Sequence, residues 1–598
     1  MQKLVGPSTL AGRKQSLEPL IGLSDDLDFK PYYDDMKTRQ EILDHYRQKP
    51  QVSVLIIGAG INGISTFRDL ALQGVDALLV DKGDFCSGAS AASSHMIHGG
   101  IRYLENGEFR LVREAVQERN RLLVNAPHLV KPLPTVIPIF NLFSGLLNAP
   151  MKFLGILDKP AERGAIVIKI GLILYDFYTR SQKTVPKHSF FSQKETQGMF
   201  SKINPDVKYT ARYYDGSMTS PERLCIELLL DGEEANPNSH AVNYLAVDRA
   251  ASNSVELRDQ LNGEVLTVQP KIVINASGPW IDFTNKKMGV MTQFIGGTKG
   301  SHLIIDNPEL RTAIGENEFF FENKDGRIVL IFPLLDKVMI GTSDLPIDDP
   351  DQARCSDEEI KYFIDMVSII FPDIDINRDQ IKFRFSGVRP LPASESKSTG
   401  QISRDHSIEI ISENSGFTFP IYNLIGGKWT SFRALSEEIT DLTLKVLNLN
   451  RKISTFDLPI GGGKDFPNDD QCYDYWIENQ SIRTGLSPDR IKILFARYGT
   501  RAEEFIDFII RSPDTYLENL SDYSRREIQF ITQVEKVVHL DDFLLRRSIL
   551  AKMGLLSHRL VVEIANIVGR ELQWSDERRE EEINLTRDLL LEHHSVAI

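Results

Sequence analysis

The first sharp change along the chain comes at Val52, where a polar stretch gives way to the β-branched run VSVLII. The next residues, GAGINGISTFRDLALQG, carry apolar positions at helical spacing, and DALLV follows as a second buried strand. This order predicts a compact βαβ unit. Further apolar runs at KIVINASG (271–278), HLIID (302–306), RIVLIFPL (327–334) and KVMIGTSD (337–344) predict strands, so the middle of the chain mixes sheet and helix. From about Asp465 onward the strand signals fade, and DDFLLRRSILAKMG (541–554) and LVVEIANIVGRELQW (560–574) predict helices. The GGGK turn (461–464) marks the expected boundary of a helical carboxy-terminal domain. Residues 1–48, mostly polar with a short helical end, read as a solvated arm.

Composition narrows the class. A chain of 598 residues is enough for three to four units of roughly 150 residues each. Hydrophobic residues at 41% and charged residues at 25% describe a globular protein and exclude a collagen-like or largely disordered one. The formal net charge of −14 argues against nucleic acid as a partner, so any anionic ligand needs a local cationic pocket. Cys86, Cys225, Cys355 and Cys472 are far apart, which suggests neither a disulfide framework nor a metal site and fits a reducing compartment. The amino terminus has no apolar core of a secretory signal, so the protein is expected to stay inside the cell. Leu133 to Met151 is apolar but broken by Pro134, Pro138 and Pro150, a poor membrane span.

The chemistry begins at Gly58, Gly60 and Gly63, which follow a buried strand and open a helix whose free NH groups can receive a pyrophosphate. The second strand ends at Asp81, 18 residues beyond Gly63, where a carboxylate can accept hydrogen bonds from a ribose. Between NAD and FAD, the segment 85–115 favours FAD. Its small Ser, Ala and Gly residues permit close backbone approach to a bulky planar ring, and Arg102 and Tyr103 offer a cation and a hydroxyl beside it.

GAGING, SSHMIHGGIRYLE, NASGPW (275–280), KGSH (299–302), IGTSD (340–344), SGVRPL (386–391), SRDH (403–406) and GGKWTSFR (426–433) together resemble the FAD-dependent glycerol-3-phosphate dehydrogenases and the related alpha-glycerophosphate oxidases. The matches run in order from about residue 50 to 450, and VGRELQW (568–574) extends the likeness into the helical region. The resemblance implies an α/β fold: a Rossmann-like FAD-binding domain, a mixed-sheet substrate domain and a helical carboxy-terminal domain. The expected organisation is an extension over 1–48, interleaved FAD-binding and substrate domains over 49–460, and the helical domain over 461–598. FAD binding would fall mainly on 49–125, 205–295 and 385–450, and substrate binding mainly on 126–204 and 296–384.

The same resemblance implies the site. FAD would be held at Gly58, Gly60, Asn62, Gly63 and Asp81, then along Ser93, Ser94, His98, Gly99 and Gly100. Further contacts would come from Ala276, Gly278 and Trp280 in the NASGPW turn and from Gly427, Lys428 and Thr430. Glycerol 3-phosphate carries about two negative charges, which the planar fork of arginine is suited to bind. Arg102, Arg389, Arg404 and Lys428, with Tyr103 as a neutral donor, would converge on it. Oxidising the alcohol carbon also requires a proton acceptor. His302 is the candidate base, and Arg389 would stabilise the developing alkoxide. His302 is also compatible with orienting the substrate or capping a carbonyl. No metal is expected.

Several expectations stay open. The apolar run at 141–164 lengthens the chain relative to simpler dehydrogenases. One reading is a monotopic membrane patch, with Leu142, Phe143, Leu146, Leu147, Phe153, Leu154 and Leu157 in the headgroup boundary and Lys152 on lipid phosphate. The other is a cover for the substrate domain or a subunit contact, as in a homodimer. The expected location is cytoplasmic or peripheral on the inner face of the cell membrane. Electrons would pass to quinone, with oxygen as the alternative acceptor. Another polyol phosphate, such as erythritol phosphate, is an alternative substrate, and a non-catalytic flavin-binding protein is a remote one. MTSPERL (218–224) has no assigned role.

Overall fold

The apolar run at 51–57 forms the strand Gln51–Ile57, which lies between Ala77–Val80 and Val265–Asn275 with all three parallel. The computed structural model describes residues 36–100, 108–141, 165–179, 184–323, 327–393, 405–413 and 415–598. The fold below is that of Lys37–Ile598, which form one unit. His240–Val242 and Ile421–Ile425 extend the parallel sheet on either side, and Ser407–Ile411 pairs antiparallel at one edge. Sheet strands covered on both faces read as continuous apolar runs, which is why VLII and ALLV are buried throughout.

Helix Ile61–Leu72 packs on this sheet between Pro221–Ala235 and Phe432–Val446. The segment expected to be a solvated arm ends differently. Residues Arg39–Gln48 form a helix with a capping box from Thr38 and Glu41, and they bury Ile42, Leu43 and Tyr46 against Val52, Leu55 and Val242. Three apolar residues on one face are enough to dock this helix on the sheet.

Among the described residues the second sheet has ten strands and is mostly antiparallel. Val130–Ile139 pairs along its length with Tyr209–Met218, and Glu318–Glu322 joins it in parallel. Ile328–Leu334, Lys337–Gly341, Thr298–Ile305 and Ile381–Arg389 continue the sheet in that order. Helix Asp357–Ile370 covers one face, burying Phe363, Val367 and Ile370 with Val329 and Ile331.

Beyond Ile425 the described residues form no further strand, and the helices include Ala502–Ile510, Arg525–Val534, His558–Glu571 and Asp576–His594. The helix expected over 541–554 is short. Leu540–Asp542 passes into a single π-helical turn, Phe543–Arg547, and the chain is irregular through Gly554. This turn presents Arg546 and Arg547 together to the buried Asp84 of the dinucleotide half, whose Oδ1 also accepts from Asn243.

No described helix is long and apolar enough to cross a membrane, and no described cluster of His, Cys, Asp and Glu could hold a metal. The apolar residues Leu142 to Leu157 and Lys152 lie outside the described residues.

Candidate functional site

At the carboxyl end of Gln51–Ile57 the chain turns through Gly58 at φ +103°, a conformation open to glycine. A Cβ on Gly63 would lie 1.9 Å from the Gly58 carbonyl oxygen, so only hydrogen lets the helix start this close to the strand. Asp81 accepts from the Ala59 NH at 2.6 Å and the Gly83 NH at 2.9 Å. Burial nonetheless raises its carboxyl to about 6, above the ordinary carboxylate value. Ser90 Oγ accepts from the Ile61 NH at 3.0 Å.

These groups open onto a cleft of about 1400 Å³. Gly58, Gly60, Asn62 and Asp81 line one end, with Ala276, Gly278 and Trp280 beside them. Ser93, Ser94, His98 and Gly100 make up one stretch of wall and Gly427, Lys428 and Thr430 another. Thr430 Oγ1 donates to the His98 carbonyl at 3.1 Å, and Trp429 Nε1 donates to the Ser90 carbonyl at 3.0 Å, tying the two stretches together. Trp280 Nε1 donates to Asp351 at 2.9 Å, with the Lys82 ammonium 4.5 Å from its ring centre.

Two of the expected cofactor residues do not line the cleft. Gly63 sits beneath it, as the contact with Gly58 requires. Gly99 donates its NH to Asp215 at 2.9 Å, and a Cβ there would fall 2.1 Å from the Tyr175 hydroxyl. Tyr175 and the buried Arg119 both bond Asp215, at 2.5 and 3.0 Å, so this network anchors the wall from behind.

The candidate residues His302 and Arg389 stand on the second sheet. His302 faces Gly341 on one neighbouring strand and Phe385 on the other. A Cβ on Gly341 would come within 2.2 Å of the imidazole, and the Phe385 ring stacks on it at 5.0 Å and 13°. His302 Nε2 meets Ser94 Oγ at 2.9 Å. Burial first, then the charges of Arg389 and Lys552, push the imidazole down to about 3, so it is neutral near pH 7.

Arg389 Nη1 donates to Asp344 at 3.1 Å, while Nη2 donates to Thr342 Oγ1 at 2.9 Å and the Ser343 carbonyl at 3.1 Å. A Cβ on Gly300 would lie 2.4 Å from this guanidinium. His302, Arg389 and Lys428 therefore share the cleft. Arg102, Tyr103 and Arg404 lie outside the described residues.

Ser90, Trp429, Thr342, Asp344 and Asp215 were missing from the sequence expectation. Thr342, Asp344 and Trp429 stand inside IGTSD and GGKWTSFR, so the motifs pointed to the segments but not to those side chains. Asp215 stands in no such motif.

The cleft fits FAD on its own features. It begins at a glycine turn and helix amino terminus that suit a pyrophosphate, and the buried Asn62 Oδ1 is left without a partner beside it. Asp81, His302 and Arg389 line the same cleft. When bound there, FAD supplies hydride-accepting chemistry.

Residues 53–419 match the FAD dependent oxidoreductase family, and residues 453–579 match the C-terminal domain of alpha-glycerophosphate oxidase. The chain is thus an FAD-dependent oxidoreductase. It is 34% identical to a glycerol-3-phosphate dehydrogenase of Synechocystis sp., over 84% of this chain and 90% of that protein. A glycerol-3-phosphate dehydrogenase of Pseudomonas aeruginosa is 30% identical over 84% of this chain and 92% of its own. The chain belongs to the FAD-dependent glycerol-3-phosphate dehydrogenase family. The solved glycerol-3-phosphate dehydrogenase of Bacillus halodurans, complexed with FAD, shares the fold at a TM-score of 0.70 and 21% identity, covering 92% of this chain and 97% of that one.

Proposed function

We propose that the protein oxidises sn-glycerol 3-phosphate to dihydroxyacetone phosphate with FAD and passes the two electrons to a quinone. The observation that carries this reading is the placement of a neutral, buried His302 and a braced Arg389 in one cleft with the dinucleotide turn. Lys428, with Arg102, Tyr103 and Arg404, binds the phosphate. His302 Nε2 takes the hydroxyl proton, and bound FAD would supply the hydride acceptor that lets the alcohol carbon become a ketone. Arg389 stabilises the negative charge that builds on the oxygen.

In this reading FAD and substrate segments interleave over 49–460 and a helical domain follows over 461–598. The protein works at the inner face of the cell membrane, where quinone is available. The match at 453–579 to an oxidase domain favours oxygen as a second reading. Turnover with glycerol 3-phosphate, followed with a quinone analogue and separately in air, tests both: quinone reduction without peroxide is expected, and stoichiometric peroxide would replace the quinone reading with the oxidase one. Preference for a four-carbon polyol phosphate would overturn the substrate assignment.

A further inference from the structure

MTSPERL, which has no role in the chemistry above, places Glu222 at the start of helix Pro221–Ala235. Its Oε1 meets Lys552 Nζ at 2.5 Å, and the same ammonium lies 3.3 Å from His95 Nε2. All three groups are buried. Burying an ammonium is costly unless it is paired, and an apolar side chain would fill the same space at less cost. The direction the ammonium faces is therefore informative. Lys552 Nζ stands 5.9 Å from the centre of the Phe385 ring, and that ring stacks on His302. The His95 ring lies 6.5 Å from Phe385. A cation held by a carboxylate thus backs the imidazole through one aromatic ring.

We propose that Lys552, carried by the helical carboxy-terminal region and fixed by Glu222, is a positioning residue for His302: it sets the imidazole plane through Phe385 and backs the ring with a fixed cation. The inference rests on His302 being the base. The groups facing the imidazole are consistent with it. Arg389 approaches from the Ile381–Arg389 strand, Ser94 and His95 from the 93–95 segment, and Lys552 from behind Phe385. Gly341 contributes no side chain, Asp344 is engaged with Arg389, and Glu222 with Lys552. The two cations, Arg389 and Lys552, both disfavour protonation of His302. This gives the helical domain a part in the chemistry although it does not line the cleft.

The test uses the FAD-loaded enzyme. Lys552→Met combined with Glu222→Gln removes both charges without stranding either, and Lys552→Arg keeps the cation. Two readouts are followed against pH: the rate of anaerobic flavin reduction by glycerol 3-phosphate, and the His302 imidazole signal by nitrogen NMR. In the double variant the His302 titration should move up by about one unit from about 3, so after a jump to about pH 3.5 flavin reduction should be roughly threefold slower than in the parent, converging above about pH 5.5. Lys552→Arg should restore the parental profile. If the double variant fails to retain FAD, Lys552→Gln, which leaves Glu222 a donor, should give the same upward shift. A parental titration and profile in the charge-removed variants would overturn the inference, as would an equal loss at every pH. His302→Asn separates this from the underlying reading: a variant as fast as the parent removes the base itself, whereas a crippled His302→Asn beside parental Lys552 variants removes the positioning role alone.

Discussion

Ala59 reaches Asp81 across 22 residues and Ile61 reaches Ser90 across 29, whereas His302 meets Ser94 across 208 and Lys552 meets His95 across 457. The dinucleotide end of the cleft is mostly local, a strand, a turn and a helix whose geometry follows from glycine spacing. The reacting end exists only after two sheets and a helical domain have come together. Substitutions at the first end should therefore act on cofactor retention, and those at the second on rate with cofactor retained.

The largest effect is expected at Gly63. Any side chain there meets the Gly58 carbonyl, so Gly63→Val should abolish FAD binding, read as loss of flavin absorbance in the purified protein. A yellow, active Gly63→Val protein would break the comparison at its root.

Next is Arg389→Ala, which should leave FAD bound and lower kcat/KM by on the order of a hundredfold or more, about 3 kcal/mol of lost transition-state stabilisation. Rates within a few fold of the parent would remove the alkoxide role. Gly341→Ala should be milder. Its methyl would press on His302 and tilt the imidazole from Phe385, costing about tenfold in the rate of flavin reduction with little change in FAD content.

The smallest effect is a pH dependence at Asp81. Its carboxyl rises from 3.8 to about 6 in the protein without FAD, so the folded apoprotein binds the proton more tightly than the unfolded chain does. That contribution to stability is full below about pH 4 and is lost as pH rises through about 6. Ribose hydroxyls donate to the ionised carboxylate, so FAD affinity should strengthen as pH rises through about 6, and Asp81→Asn should flatten the dependence in a fluorescence titration.

The same contrast explains what could be read before the fold was seen. The βαβ unit, the glycine turn and Asp81 were legible because each depends on neighbours within one supersecondary unit. His302 and Arg389 were legible as residues of family motifs, but their surroundings were not. Gly341 and Phe385 become neighbours of His302 only through antiparallel register, and sequence periodicity does not state register between distant strands. The docked helix Arg39–Gln48 was read as solvated because only Ile42, Leu43 and Tyr46 carry its apolar face. The interruption at Phe543–Arg547 was hidden because apolar spacing does not reveal that two adjacent arginines must reach one buried aspartate.

One cleft should hold a flavin at its glycine end and a phosphorylated alcohol at His302 and Arg389. Anaerobic addition of glycerol 3-phosphate to the purified, FAD-loaded protein tests it most directly. Bleaching of the flavin absorbance, complete at excess substrate and without any added electron acceptor, is the expected result. A flavin that stays oxidised at saturating glycerol 3-phosphate would contradict the account.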